Sequence, residues 1–379
     1  MRQIIVKRSL LLACCCLLCS AAAILSGSLL PIAAAAALLI LCIGSLLLGI
    51  GIRKKVAVRL EMPATAGKLD AVVGKLTAAS ASRLPGGPLL CRLRVSNQLT
   101  GESKTVCVQL AVPPRGESCA EFRVQSPHCG YLQVRAEGLY ITDWLGLLPV
   151  RLEQKVTAGC TVVPDTFIPE IEIDLSRVTP ENEEEYAPDK AGQDYTETFQ
   201  IRDYREGDSI KQLHWKLSEK LDRPVVRDPG LPVSRSLLLL WDKSAAACGP
   251  EETDALAEVT ASVAQALTDQ GINYTLGCHD DAGFTFTEVE SREELLQSIP
   301  NLLRYGAGET AEQTVEEYFP QGFPYAKTLY FAGAVSHVPY AEKDGSVTAL
   351  LCASNLPDSS SILHFEVENY AEDLHTILL

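Results

Sequence analysis

The pattern of apolar and polar positions divides the chain into stretches with different periodicities. Residues 9–52 contain no Asp, Glu, Lys or Arg. A membrane-crossing helix takes about 20 apolar residues, so this run has room for two. Ser26, Gly27, Ser28 and Pro31 interrupt it, as turn-forming residues do, and predict helices near 9–25 and 30–50. From about 55 to 165 the period becomes two. Val106, Val108 and Leu110 alternate with polar neighbours, as do Ala120, Phe122 and Val124, then Leu132, Val134 and Ala136. Pro85-Gly86-Gly87 and Pro113-Pro114-Arg115-Gly116 separate such runs. This rhythm predicts a β-sandwich of immunoglobulin-like type, without the Cys–Trp–Cys framework of a true immunoglobulin domain.

After residue 237 the pattern changes again. Residues 237–241 form a short continuous apolar run, as in a buried parallel strand. Leu256, Val259, Val263 and Leu267 give helical periodicity over 251–270. A strand-like 274–277, helices near 292–303 and 311–318, and strands at 328–332, 347–352 and 362–367 follow. Alternating strands and helices predict an open α/β sheet covered on both faces. Such sheets bind ligands at the carboxyl ends of their strands, here just after Asp242. Residues 170–189 carry eight acids against Arg177, with Pro180 and Pro188, and read as a solvated linker more readily than as an acidic binding tail. The expected organisation is a transmembrane hairpin (1–55), a β-sandwich (56–165), an acidic linker with a polar motif (166–236) and an α/β domain (237–379): a membrane-anchored α+β protein.

Charge refines this picture. The formal net charge is −15, which argues against nucleic acid as a partner, because phosphate needs Lys and Arg. Of thirteen cysteines, Cys14, Cys15, Cys16, Cys19 and Cys42 lie in the apolar run and the rest are scattered. They read as small buried hydrophobes in a reducing compartment, with disulfides open if the body lies outside the cell. Cys16 and Cys19 form a C-x-x-C that reads as packing within a lipid-facing helix, or at most as a palmitoylation site. Arg2, Lys7 and Arg8 precede the hairpin, and Arg53, Lys54 and Lys55 follow it. The positive-inside rule then predicts a multi-pass cell-membrane protein with a cytoplasmic body and the lipid bilayer as a partner. A cleaved signal peptide, or a lipoprotein signal ending at Cys14, is the alternative for the first run. The second run anchors the chain in either case.

The most distinctive stretch is Gly192-Gln193-Asp194-Tyr195 followed by Ile201-Arg202-Asp203-Tyr204-Arg205-Glu206-Gly207-Asp208-Ser209-Ile210-Lys211-Gln212-Leu213-His214-Trp215-Lys216. Gly207 permits a turn, and Ser209 with Gln212 fits a capping box. Ile210, Leu213 and Leu217 would then line one face of a short helix, with Trp215 anchoring it at a domain junction. Arg202, Asp203, Arg205, Asp208, Lys211 and Lys216 suit an ion-pair network that fixes orientation. The segment resembles the signature of the bacterial family called domain of unknown function fifty-eight: Arg-x-Tyr-x-x-Gly-Asp, then Arg-x-Ile-[His/Asp]-Trp. It matches at Arg202, Tyr204, Gly207, Asp208, His214 and Trp215, with Lys211 and Leu213 replacing the usual Arg and Ile. Tyr140-Ile-Thr-Asp143-Trp-Leu145-Gly146-Leu147 looks like the same family's Asp-x-Leu-Gly-Leu. The resemblance implies an N-terminal hairpin, a β domain and a C-terminal von Willebrand factor A-like domain. It also implies a partnership with MoxR-type AAA ATPases in assembling a membrane or envelope complex.

A von Willebrand A metal site uses Asp-x-Ser-x-Ser with a later Thr and Asp to hold Mg²⁺ through oxygen ligands. Asp242 and Ser244 fit the first two positions. Ala246 replaces the second Ser, Lys243 adds a positive charge, and neither Asp280-Asp281 nor Ser336-His337 supplies the expected later ligands. The expectation is a degenerate site with no metal and no cofactor. None of the six histidines forms H-E-x-x-H, and G-x-S-x-G and Walker A are absent. The sequence therefore predicts no catalytic residue and a non-catalytic scaffold or adaptor. The polar motif Arg202–Lys216 would be structural or partner-binding. An enzyme using that motif, or a structural envelope protein, are the alternatives.

Overall fold

In a computed structural model of the chain, the residues described are 14, 15, 17, 18, 21, 22, 30–143, 149–172, 185–205, 214–221, 223–233, 237–306, 313–325, 327–341, 346–353 and 361–378. They form two compact units: residues 1–165 with 249–257 and 300–306, and residues 166–248 with 258–299 and 307–379. The protein is a mixed α/β molecule with one long N-terminal apolar helix and several sheets.

The first unit begins with α1 (Leu30–Arg53), the one helix among the described residues long and apolar enough to cross a membrane. Leu30, Ile40 and Leu47 are strongly exposed along it, an arrangement costly in water and favourable in lipid. Of the helix expected before it, only residues 14, 15, 17, 18, 21 and 22 are described, and these are helical. The rest of that segment lies outside the described residues.

Only Lys54 and Lys55 separate α1 from β1 (Val56–Glu61). The strands that follow are β2 (Thr65–Ala66), β3 (Val72–Ser80), β4 (Gly86–Asn97), β5 (Ser103–Val112), β6 (Glu117–Val124), β7 (Gly130–Thr142), β8 (Pro149–Arg151) and β9 (Thr157–Val162). They make two sheets, ordered β1-β3-β6 and β2-β9-β7-β4-β5, with β8 beside β7. The two-residue period is explained by the burial: β1 alternates buried and exposed at every step, and the inward residues of both sheets share one core. Val58, Leu76 and Phe122 from one sheet meet Leu93, Leu110 and Val134 from the other. β1 lies at the edge of its sheet, where unpaired backbone groups invite wrong pairing. The Gln154 side chain clamps it: Oε1 accepts from the Val58 N–H at 3.0 Å and Nε2 donates to the Val56 carbonyl at 2.7 Å.

The second unit starts with β10 (Glu170–Glu172), which pairs in parallel with β19 (Thr376–Leu378). β11 (Glu185–Asp203) and β12 (Val225–Val233) form an irregular antiparallel ribbon, and α2 (Trp215–Leu221) lies between them in sequence. The stretch read as a solvated linker is corrected here, because parts of it are strand. The acidic residues misled because Ile171, the apolar residue between Glu170 and Glu172, is buried against a partner strand at the far end of the chain.

The principal sheet contains β13 (Leu237–Asp242), β14 (Tyr274–Asp280), β15 (Gly283–Val289), β16 (Lys327–Gly333), β17 (Val347–Cys352) and β18 (Ile362–Phe365). Its order is β15-β14-β13-β16-β17-β18, parallel except for β15, which returns antiparallel to β14. Numbered from β13, this is the 3-2-1-4-5-6 order of doubly wound folds. The helices are α3 (Pro250–Asp269), α4 (Arg292–Leu302), α5 (Val315–Tyr318) and α6 (Tyr370–Asp373). Every residue of β13 is buried, as expected for a strand covered on both faces. Leu238, Leu240, Tyr330 and Ala349 pack with Val315 and Val338, while the alternate residues Leu239, Trp241 and Phe331 are equally buried. Tyr274 Oη donates to the Ala264 carbonyl at 2.9 Å and ties β14 to α3.

The clamp on β1 is directly testable. Gln154→Ala leaves two backbone groups of β1 without their side-chain partner and is expected to cost about 1–3 kcal/mol. Denaturant unfolding of the full chain in detergent would measure it, and an unchanged midpoint would show that the clamp does not stabilise the edge.

Candidate functional site

Where β13 ends, the chain places the charged pair Asp242-Lys243 inside the protein; each is about 5% exposed. The parallel register sets Asp242 opposite His279. Leu240, one pleat earlier on the same face, stands opposite Tyr330. Asp242 Oδ1 accepts from the Ser244 backbone N–H at 3.0 Å and from Ser244 Oγ at 2.7 Å, and lies 3.0 Å from His279 Nδ1. Oδ2 accepts from Tyr330 Oη at 2.8 Å. The imidazole is stacked on Phe284, its cross-strand partner on β15, with ring centroids 3.9 Å apart. Phe284 stacks in turn on Tyr318 of α5.

These contacts set the electrostatics. Burial drives the Asp242 carboxyl upward, but hydrogen bonds from His279, Ser244 and Tyr330, with the charge of His279, outweigh it and hold it below its usual range. Burial, and then the Asp242 charge, push the Tyr330 phenol far up, so it stays a donor. Lys243 points into a second cluster. Its Nζ lies 3.7 Å from Asp280 Oδ2 and 4.6 Å from the centre of the Trp241 ring. Cys278 Sγ is 3.6 Å from the same Asp280 oxygen, and burial raises that thiol to about 11 despite the Lys243 charge. A thiol so protonated is inert rather than nucleophilic.

A Ser, a His and an Asp within hydrogen-bond reach invite comparison with a nucleophilic triad. That chemistry needs one ring nitrogen for the hydroxyl and the other for the carboxylate. Here Ser244 Oγ, at 2.8 Å, and Asp242 Oδ1, at 3.0 Å, contest the same Nδ1. The imidazole cannot relay a proton between them. The donor set does not fit Mg²⁺ either: both Asp242 oxygens already accept hydrogen bonds, and the Ala246 side chain offers no oxygen. Among the described residues, no three His, Cys, Asp or Glu side chains group to hold a metal.

Of the polar motif, residues 201–205 and 214–216 are described. Asp203, Tyr204, Arg205 and Lys216 are exposed, and Asp203 pairs with Arg223 at 3.2 Å in an open setting. Gly207 and Asp208, with the helix start expected there, lie outside the described residues, as does the Arg202 side chain. Trp215 is 67% exposed, which corrects the buried anchor: as the first residue of α2 it projects outward. His214 fills the capping position instead. Its Nδ1 accepts from the Leu217 N–H at 3.3 Å, as an N-cap side chain does, and the His214 backbone N–H donates to the Val225 carbonyl at 2.9 Å.

Sequence reasoning found Asp242 and Ser244 but missed His279 and Tyr330. The available signal was register: Asp242, the last residue of β13, pairs with His279, one residue before the end of β14, and Leu240 pairs with Tyr330 of β16. That signal was lost because the predicted strand stopped at 277 and omitted β15.

Residues 200–317 match the family described as "Protein of unknown function DUF58", in keeping with the resemblance of the Arg202–Lys216 segment. No curated protein matches the chain. Among solved structures, the CARDB domain of the PF1109 protein from Pyrococcus furiosus is 14% identical over 29% of this chain and 94% of its own, with a TM-score of 0.23. A beta-glucosidase from Listeria innocua is 10% identical over 28% of this chain and 16% of its own, with a TM-score of 0.20. The bacterial hydrophobin BslA is 16% identical over 30% and 97%, with a TM-score of 0.19.

The depressed Asp242 pKa carries a pH signature. A carboxyl lower in the folded than in the unfolded state adds stability in full above its unfolded value of about 4, and the contribution drains away as pH falls through the folded value. Asp242→Asn should cost about 1.5–3 kcal/mol near neutrality. It should also flatten the loss of thermal stability on acidification below about pH 4. Parallel acid limbs for the two proteins would show that Asp242 is not held down by its neighbours.

Proposed function

We propose that the chain is a non-catalytic, membrane-anchored scaffold or adaptor whose α/β unit presents a protein-binding surface. The observation that carries this reading is the Asp242 cluster. At the sheet edge where such folds bind ligands, donors and acceptors are spent on one another. An Asp-x-Ser closing the first strand of an open parallel sheet supports a von Willebrand factor A-like reading of this unit, with its metal site given over to an internal hydrogen-bonded cluster. The loops around Ser244 and the exposed Ser336 would then recognise protein.

The anchor in this proposal is the uncharged N-terminal run, as a two-helix hairpin. Arg53 at the end of α1, with Lys54 and Lys55 directly after it, supports a cytoplasmic body. The match to the unknown-function family and the resemblance of the motif support a MoxR-type AAA ATPase as partner in assembling a membrane or envelope complex.

A photo-crosslinking amino acid at position 336, in full-length protein in native membranes, tests the partner. The expected product is a crosslink to such an ATPase that changes between ATP and ADP. Membranes that contain the ATPase but yield no such product would remove it as partner. A hydrolytic activity abolished by Asp242→Ala would replace the scaffold with an enzyme.

A further inference from the structure

The end of the first unit that receives α1 is chemically unlike the acidic chain as a whole. Ser45, Gly49 and Ile52, the buried residues of α1, share one face of the helix. Ser45 Oγ donates to Asp143 Oδ2 at 2.7 Å, and a Cβ built on Gly49 would meet Asp143 Cα at 3.5 Å. Ile52 is already part of the core between the sheets. The helix is therefore seated on the end of β7 before the chain enters β1, with no slack between them.

The same end gathers the turns between strands. The Lys55 carbonyl accepts from the Ala81 N–H at 2.9 Å, and the Ser82 carbonyl accepts from the Arg115 N–H at 2.8 Å. Gly86 pairs with Val112. The side chains this brings together are Arg53, Lys54, Lys55, Arg83 and Arg115, all exposed except the half-buried Arg53. Leu84, on the turn with Arg83, is 44% exposed. Asp143 is 1% exposed and its charge is turned to Ser45. The adjoining acids, Glu117 and Glu153, belong to β6 and to the segment after β8 rather than to the turn tips.

We infer that this basic end of the β unit, centred on Arg83 and Arg115, rests on an anionic lipid surface beside α1. The inference deepens the membrane-anchored reading and rests on it. In a chain of net charge −15, cations collected where the apolar helix arrives match the negative headgroups of a bilayer. Leu84 can enter the headgroup layer between them. Each Lys or Arg close to such a surface strengthens contact roughly fivefold, and the effect falls away within a Debye length. The seated helix holds the turns at that distance.

Hydrogen–deuterium exchange on the full chain in nanodiscs tests this. One disc is phosphatidylcholine alone, and the other holds roughly one-third phosphatidylserine. Exchange in peptides covering 81–86 and 113–116 should slow on the order of tenfold in the anionic disc. Arg83→Glu with Arg115→Glu should abolish the difference, and Arg83→Gln with Arg115→Gln should reduce it. Equal exchange in the two discs, with the protein still incorporated, would overturn the proposal. A chain that leaves the discs altogether would overturn the anchoring itself, a separate result read from disc co-fractionation.

Discussion

A carboxylate buried at the end of the first parallel strand sets the terms for the α/β unit. Removing the charge of Asp242 from water costs several kcal/mol unless charge-assisted hydrogen bonds replace the lost hydration. Those bonds come from three places in the sequence. Ser244 turns the chain back on the carboxylate, His279 meets it from β14, and Tyr330 reaches it from β16. The neighbouring strands β14 and β16 are thus tied at one point, at the edge where a doubly wound sheet ordinarily stays open for a ligand. Lys243 is turned away to Asp280 and Trp241. The two buried charges of the dipeptide Asp242-Lys243 are thereby compensated in separate clusters.

A second constraint governs the first unit. Two residues join an apolar helix to an edge strand, and both sides of that junction are pinned. Asp143 and the core hold the helix; Gln154 and the sheet hold the strand. A β unit joined to the apolar helix in this way does not hang from it by a flexible tether. The turns gathered at the end of the helix are held in place by the fold, and they carry cations in an otherwise acidic molecule.

Much of this architecture was legible in the sequence, and the failures have physical causes. The two-residue period of the β unit was clear because one face of each strand is buried and the other is wet. β13 and β17 were clear because strands covered on both faces become continuous apolar runs. β15 was missed because Thr285, Thr287 and Glu288 make an edge strand too polar for the same signal. Trp215 was misjudged because an aromatic residue beside apolar positions does not reveal which way a helix faces. Asp242 and Ser244 were visible as a local motif. His279 and Tyr330 were not, because a parallel sheet joins residues through register between distant strands, which no local spacing records.

Both Asp242 oxygens are held by protein donors rather than poised for a ligand. Isothermal titration of the full chain in detergent with Mn²⁺ addresses this directly, with Asp242→Ala as control. The account predicts no saturable binding tighter than about millimolar, because a hard divalent ion finds too few free oxygens here. A micromolar isotherm that disappears in Asp242→Ala would contradict it and restore a metal-dependent site at the end of β13.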